Sequence, residues 1–197
     1  VWEANHMWLI IVIVILFTGF PEIYSTVSTY LHIPLAIMLL GIIARGTAFA
    51  FRHYDAVQDE MQKIYNKIFR YSSFITPLFL GIIAGSAVDG GIDPDATGFA
   101  DAFIFSWLSF FSVSVGLFTV TICGYLAAVF IIGEARTEAG RNRYIIKARS
   151  MNIAALFAGS RVFYVATLSH IPLAQWLVGN PVGISAISDL HVEFDQL

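Results

Sequence analysis

Apolar residues in this chain come in long unbroken runs, not in alternation. Leu9–Phe17 holds nothing but large aliphatic and aromatic side chains. Crossing a hydrocarbon layer takes ~20 helical residues at ~1.5 Å each. Five stretches meet that length or come close: residues 2–20, 27–51, 68–88, 102–132 and 151–169. The fourth, 31 residues long, makes ~46 Å of helix and must tilt or protrude. Strands of a membrane barrel would instead alternate over segments of ~10 residues. The pattern predicts an all-α, polytopic transmembrane helix bundle with five spanning helices in a single membrane domain, residues 1–197. No repeat and no low-complexity linker divides it.

Composition agrees with a membrane chain. Hydrophobic residues make up 57% and charged residues 13%, against ~45–50% and ~25% in soluble domains. Mean hydropathy is +0.74. Too few polar groups remain to cover a water-facing surface, which excludes disorder and nearly every soluble fold. The net charge of −3 leaves no footprint for nucleic acid. Cys123, the single cysteine, allows no internal disulfide and reads as a small hydrophobe. The start at Val1 has no basic n-region or cleavage site, so it is not a signal peptide. Both ends read as cuts in a longer membrane chain.

The intervening segments separate by charge. Arg52, Lys63, Lys67 and Arg70 lie in or beside residues 52–67, and Arg136, Arg141, Arg143, Lys147 and Arg149 lie in 133–150. Segments 21–26 and 89–101 and the tail 170–197 carry no Lys or Arg and hold acids instead. The positive-inside rule makes the two basic loops cytoplasmic and the acidic segments external. Tyr24, Tyr30, Trp107 and Trp176 then fall at the outer interface, and Tyr54, Tyr71 and Tyr144 at the inner one. Asp55–Lys67 reads as an amphipathic turn on the cytoplasmic surface.

An ionisable group inside a span costs ~2.5–3.5 kcal/mol on the gentler scale, so such groups are the first place to seek function. They are Glu3, His6, Arg45 and Arg161, with His32 and His170 near the outer ends. Glu3 and His6 stand three apart, on one helix face. Two readings are open. They cap a helix start, where acids are favoured, or they pass protons inward, since carboxylate and imidazole both titrate near neutrality when partly buried. Glu3-x-x-His6 is also half of a di-iron helix motif, but the second half is absent.

Arg45, seven residues before Arg52, lies ~10 Å inside the cytoplasmic boundary. It either snorkels or holds an anion. Arg161, twelve residues past Arg149, lies ~18 Å in, near the midplane. It should face protein or water and pair with an anion. His32 and His170 read as interfacial side chains. Gly81 and Gly85 form a small-xxx-small face for close helix approach, and Pro77 should kink the third span. No metal-ligand spacing and no phosphate-binding loop is present.

Two blocks carry a resemblance. Trp2-Glu3-Ala4-Asn5-His6-Met7-Trp8-Leu9 resembles the Trp-Asp-Gly-Asn-x-x-Trp-Leu motif of subunit II of cytochrome bd-type quinol oxidases. Arg45-Gly46-Thr47-Ala48-Phe49-Ala50-Phe51-Arg52 is similar to that family's Arg-x-x-x-Phe-x-aromatic-Arg. The resemblance covers the middle of the family chain. It implies a non-haem subunit of a quinol:oxygen oxidoreductase in a bacterial or archaeal plasma membrane. Its partner, subunit I, would carry haem b and haem d, with quinol and oxygen as substrates.

The family's motif aspartate is assigned to a path for cytoplasmic protons, so the resemblance implies that role for Glu3. A structural quinone or lipid is also implied, without an assignable residue. Trp2, Asn5, Trp8, Arg45, Phe49 and Arg52 become motif or interface residues. Glu3 in place of Asp keeps the carboxylate, and Ala4 in place of Gly needs no positive φ. His6 stands where the family varies, and Arg161 lies outside the motifs. The alternative is a membrane transporter or channel component without redox chemistry, for which midplane Arg161 and helix-breaking Pro77 would suit a substrate path.

Overall fold

The structure, a computed structural model, describes residues 2–54, 60–89, 92, 98–135, 138–169 and 171, with the backbone alone for 2–7, 53–54, 60 and 139. Among the described residues are six α-helices and a π-helical turn, with no strand. The helices are α1 (Trp2–Gly19), α2 (Pro21–Tyr30), α3 (His32–Tyr54), α4 (Glu60–Asp89), α5 (Phe110–Glu134) and α6 (Glu138–Leu168). The π-helical turn, Asp101–Phe105, precedes α5. Four stretches are long and apolar enough to cross a membrane: His32–Arg52, Met61–Asp89, Asp101–Glu134 and Gly140–Leu168. The pair α1–α2, bent by 116°, adds a fifth if it counts as one span. The chain is an all-α, polytopic membrane protein. It clusters into two compact units, Val1–Cys123 and Gly124–Leu197.

The boundaries differ from those read off the apolar runs, and each difference has a local cause. Residues 21–26, expected as an outer loop, are the start of α2. A residue before proline is pushed out of the α region. Phe20 accordingly sits at φ −134°, ending α1, and Pro21 occupies the first turn of a new helix, where its missing N–H costs nothing. Glu22 in that turn complements the helix dipole. Phe17 and Tyr24 meet edge-on across the bend, ring centroids 5.3 Å apart. Residues 27–30 also belong to α2, and the second long helix starts only at His32, after a single-residue break at buried Leu31.

The basic segments are largely helical as well. Residues 60–67, expected to lie on the membrane surface, are the first turns of α4, and 138–150 are the first turns of α6. Lys, Arg, Glu, Gln and Met are good helix formers, so polarity there marks a helix leaving the apolar layer, not a loop. The expected long run 102–132 is divided. Its first residues form the π-helical turn, and α5 opens at Phe110. Ser109 is the reason: its hydroxyl accepts from the Ser112 N–H at 3.0 Å, an N-cap. Pro77 lies inside α4, which continues without a break to Asp89. The tail 172–197, with Trp176, and most of the Asp89–Asp95 loop lie outside the described residues, as does His170.

Helices α3, α4 and α5 pack through small residues. Lipid is as apolar as any side chain, so close approach and hydroxyl pairing must do the work. A Cβ at Gly41 would sit 2.6 Å from the Thr76 hydroxyl. One at Gly85 would sit 2.8 Å from the Ser112 Cα, and one at Gly81 would collide with Thr119 and Gly116. The Gly81–Gly85 face therefore seats α4 on α5.

Candidate functional site

Arg45 sits on α3 seven residues before Arg52, ~10 Å along the helix. Its half-buried guanidinium lies over the Phe69 ring of α4, 5.0 Å from the centroid. Six residues further along α3, nearly two turns, Phe51 stacks on Tyr65 at 5.8 Å and 15°. Phe49 is half-exposed and Arg52 is exposed. A guanidinium over a ring face is stabilised by the ring quadrupole, by more when water is excluded. The expected choice between snorkelling and an anion thus gains an aromatic seat that sequence spacing did not show. Arg45 cannot shed its proton, so it acts as a fixed positive charge inside the span.

Glu3 and His6 lie on the first turns of α1, with Trp2 and Asn5. They stand three residues apart on that one helix. Their side chains lie outside the described residues. Trp8, the next motif residue, is 69% exposed. Arg161 is exposed on α6.

His32 is tied locally. Its Nδ1 donates to the Thr29 carbonyl at 2.8 Å, since a carbonyl can only accept. Its ring meets Phe103 edge-on at 5.1 Å. Phe103 also stacks with Tyr30 at 6.1 Å, and its carbonyl accepts from the Trp107 indole at 2.8 Å. Aromatic residues therefore do gather at this end of the helices. Among the described residues no three His, Cys, Asp or Glu side chains converge as a metal site.

Sequence reasoning missed a row of buried hydroxyls: Ser72, Thr76, Ser86, Ser112 and Ser114. Ser86 donates to the Ile82 carbonyl at 2.8 Å and reaches Ser112 across to α5 at 3.3 Å. Ser112 and Ser109 are paired at 2.8 Å. The Thr76 hydroxyl is buried against Gly41 without a hydrogen-bond partner. The signal was present as Ser, Thr and Gly recurring at helical spacing along 72–86 and 109–119. Beside this row, α3 and α4 enclose a groove of about 390 Å³ lined by Ile37, Gly41, Ala44, Lys67, Tyr71 and Ser72 among others.

Comparison with known proteins agrees with the two motif blocks. The family described as cytochrome bd terminal oxidase subunit II matches residues 1–191. The chain is 28% identical over 144 residues to the cytochrome bd ubiquinol oxidase subunit 2 of Bacillus subtilis (strain 168). That alignment takes in 70% of this chain and 41% of the relative, so the chain spans about two-fifths of the length of the curated protein it matches. With the family matched over nearly all of its residues, this chain belongs to the cytochrome bd terminal oxidase subunit II family.

Proposed function

We propose that the chain serves in a membrane quinol:oxygen oxidoreductase as its non-haem subunit, with two tasks. It scaffolds a haem-bearing subunit I, and it delivers cytoplasmic protons for the reduction of oxygen to water. The observation that carries this reading is the family match over residues 1–191. The reaction takes four electrons, supplied by two quinols, and four protons per oxygen. Its oxygen chemistry belongs to haem b and haem d on the partner subunit.

This chain's part is positional and protonic. Glu3 takes a proton from the cytoplasmic side on its carboxylate, and His6, one turn on along α1, accepts it at an imidazole nitrogen. Arg45 and Arg52 keep the same end of α3 positive, which fits the cytoplasmic placement of the basic segments. The apolar groove between α3 and α4 suits an acyl or prenyl chain, in keeping with a structural lipid or quinone. A bacterial or archaeal plasma membrane follows from the same reading. The transport alternative would rest on Arg161 and on Pro77, which lies inside α4.

The test is a reduced-minus-oxidised visible spectrum of the complex purified with the full-length polypeptide in mild detergent. Haem b and haem d bands support the reading. A colourless complex with its partners intact overturns it.

A further inference from the structure

Arg161 occupies an unusual place on α6. Between Arg149 and Leu168 it is the single charged residue. It lies twelve residues from Arg149 and seven from Leu168, ~18 Å and ~10 Å along the helix. Helical side chains lean toward the N-terminus of their helix. The guanidinium therefore leans away from the nearer end of the span and back toward its middle, where snorkelling reaches no water.

The two faces of α6 are unlike. Ala148, Val162 and Ala166 are buried and recur at helical spacing with half-buried Ala155 and Gly159. At 100° per residue, Ile153, Phe157, Arg161, Tyr164 and Leu168 fall on the opposite side. All five are exposed, Phe157 to 73% and Tyr164 to 66%. The other polar groups nearby satisfy themselves. Ser160 donates to the Phe157 carbonyl at 2.9 Å and Thr167 to the Tyr164 carbonyl at 2.6 Å. Large apolar side chains on either side of Arg161 are not the lining of a water channel.

We propose that this face of α6 is the seat of one further membrane-spanning helix of the family-length polypeptide, presenting an Asp or Glu at the depth of Arg161. Charge complementarity fixes the chemistry, because a mid-span cation needs an anion there and not lipid. A second copy of this face would set Arg161 against Arg161. Among the described residues each Asp or Glu sits at or near a helix end or turn: Glu3, Glu22, Glu60, Asp89, Asp101, Glu134 and Glu138. The Bacillus relative extends well beyond the stretch matched here, which accounts for 41% of its length. The inference rests on the membrane fold and on the length of the family's polypeptide, and it stands whether or not the oxidase reading does.

The experiment uses the full-length polypeptide in its native membranes. A photo-crosslinking phenylalanine analogue replaces Phe157 or Tyr164, leaving Arg161 in place, and the adducts are sequenced by mass spectrometry. The expected adduct is a spanning segment of the same polypeptide with an Asp or Glu within one turn of the crosslink. Arg161→Leu should then lower the yield of folded protein about tenfold. Replacing that acid by Leu in the same protein should restore it, since both buried charges are gone. Adducts to lipid, to a second copy or to another subunit overturn the proposal. So does normal yield of Arg161→Leu alone, or labelling of Ser160→Cys by a charged thiol reagent.

Discussion

The Arg45 guanidinium lies over the ring of Phe69, 5.0 Å from its centroid, joining α3 to α4. The two residues are far apart in the chain, and the pair places a permanent positive charge on an aromatic surface inside the bundle. Phe69→Leu keeps the apolar volume but removes the ring quadrupole. It should lower stability by about 0.5–2 kcal/mol, seen as a lower thermal midpoint of the purified protein. Phe74→Leu, at a half-exposed position of the same helix, should leave the midpoint nearly unchanged.

Close approach of α4 and α5 gives a second prediction. A side chain at Gly85 meets the Ser112 backbone at 2.8 Å, and backbone cannot step aside as a flexible side chain can. Gly85→Leu should cost about 1–3 kcal/mol through overpacking and reduce the folded yield in membranes. Gly133→Ala meets nothing within 4 Å and should stay within about 0.5 kcal/mol of the parent. Comparable losses for both would mean that the helices do not meet at Gly85.

The start of α5 rests on Ser109. Ser109→Ala removes the acceptor for the Ser112 N–H and should cost about 1 kcal/mol. The readout is local: faster amide hydrogen exchange at Ser112 and Val113, with exchange in the middle of α5 unchanged.

Much of the fold was legible because apolar length is a strong signal. What misled was the equation of polarity with loops. Residues 21–26 read as an outer loop, yet Pro21 at a first turn starts α2 as readily as it ends α1. Arg141, Arg143 and Lys147 read as loop charges, yet they are helix formers and lie on α6. The close-packing role of Gly81 and Gly85 was readable because two glycines four apart share a face. The hydroxyl row was not read, because single Ser and Thr residues in a span bond their own helix as often as a neighbour. The site was legible only in part. Spacing placed Glu3 with His6 and Arg45 with Arg52, but no spacing within α3 can reveal Phe69 on another helix.

The central claim is that Glu3 carries protons toward the site of oxygen reduction. It is tested most directly by oxygen consumption of the complete complex bearing Glu3→Gln, with quinol in excess. Gln matches the shape of Glu but cannot take up and release a proton. The account predicts an unaltered haem spectrum and intact assembly with turnover slowed at least tenfold. Turnover equal to that of the parent complex would contradict it.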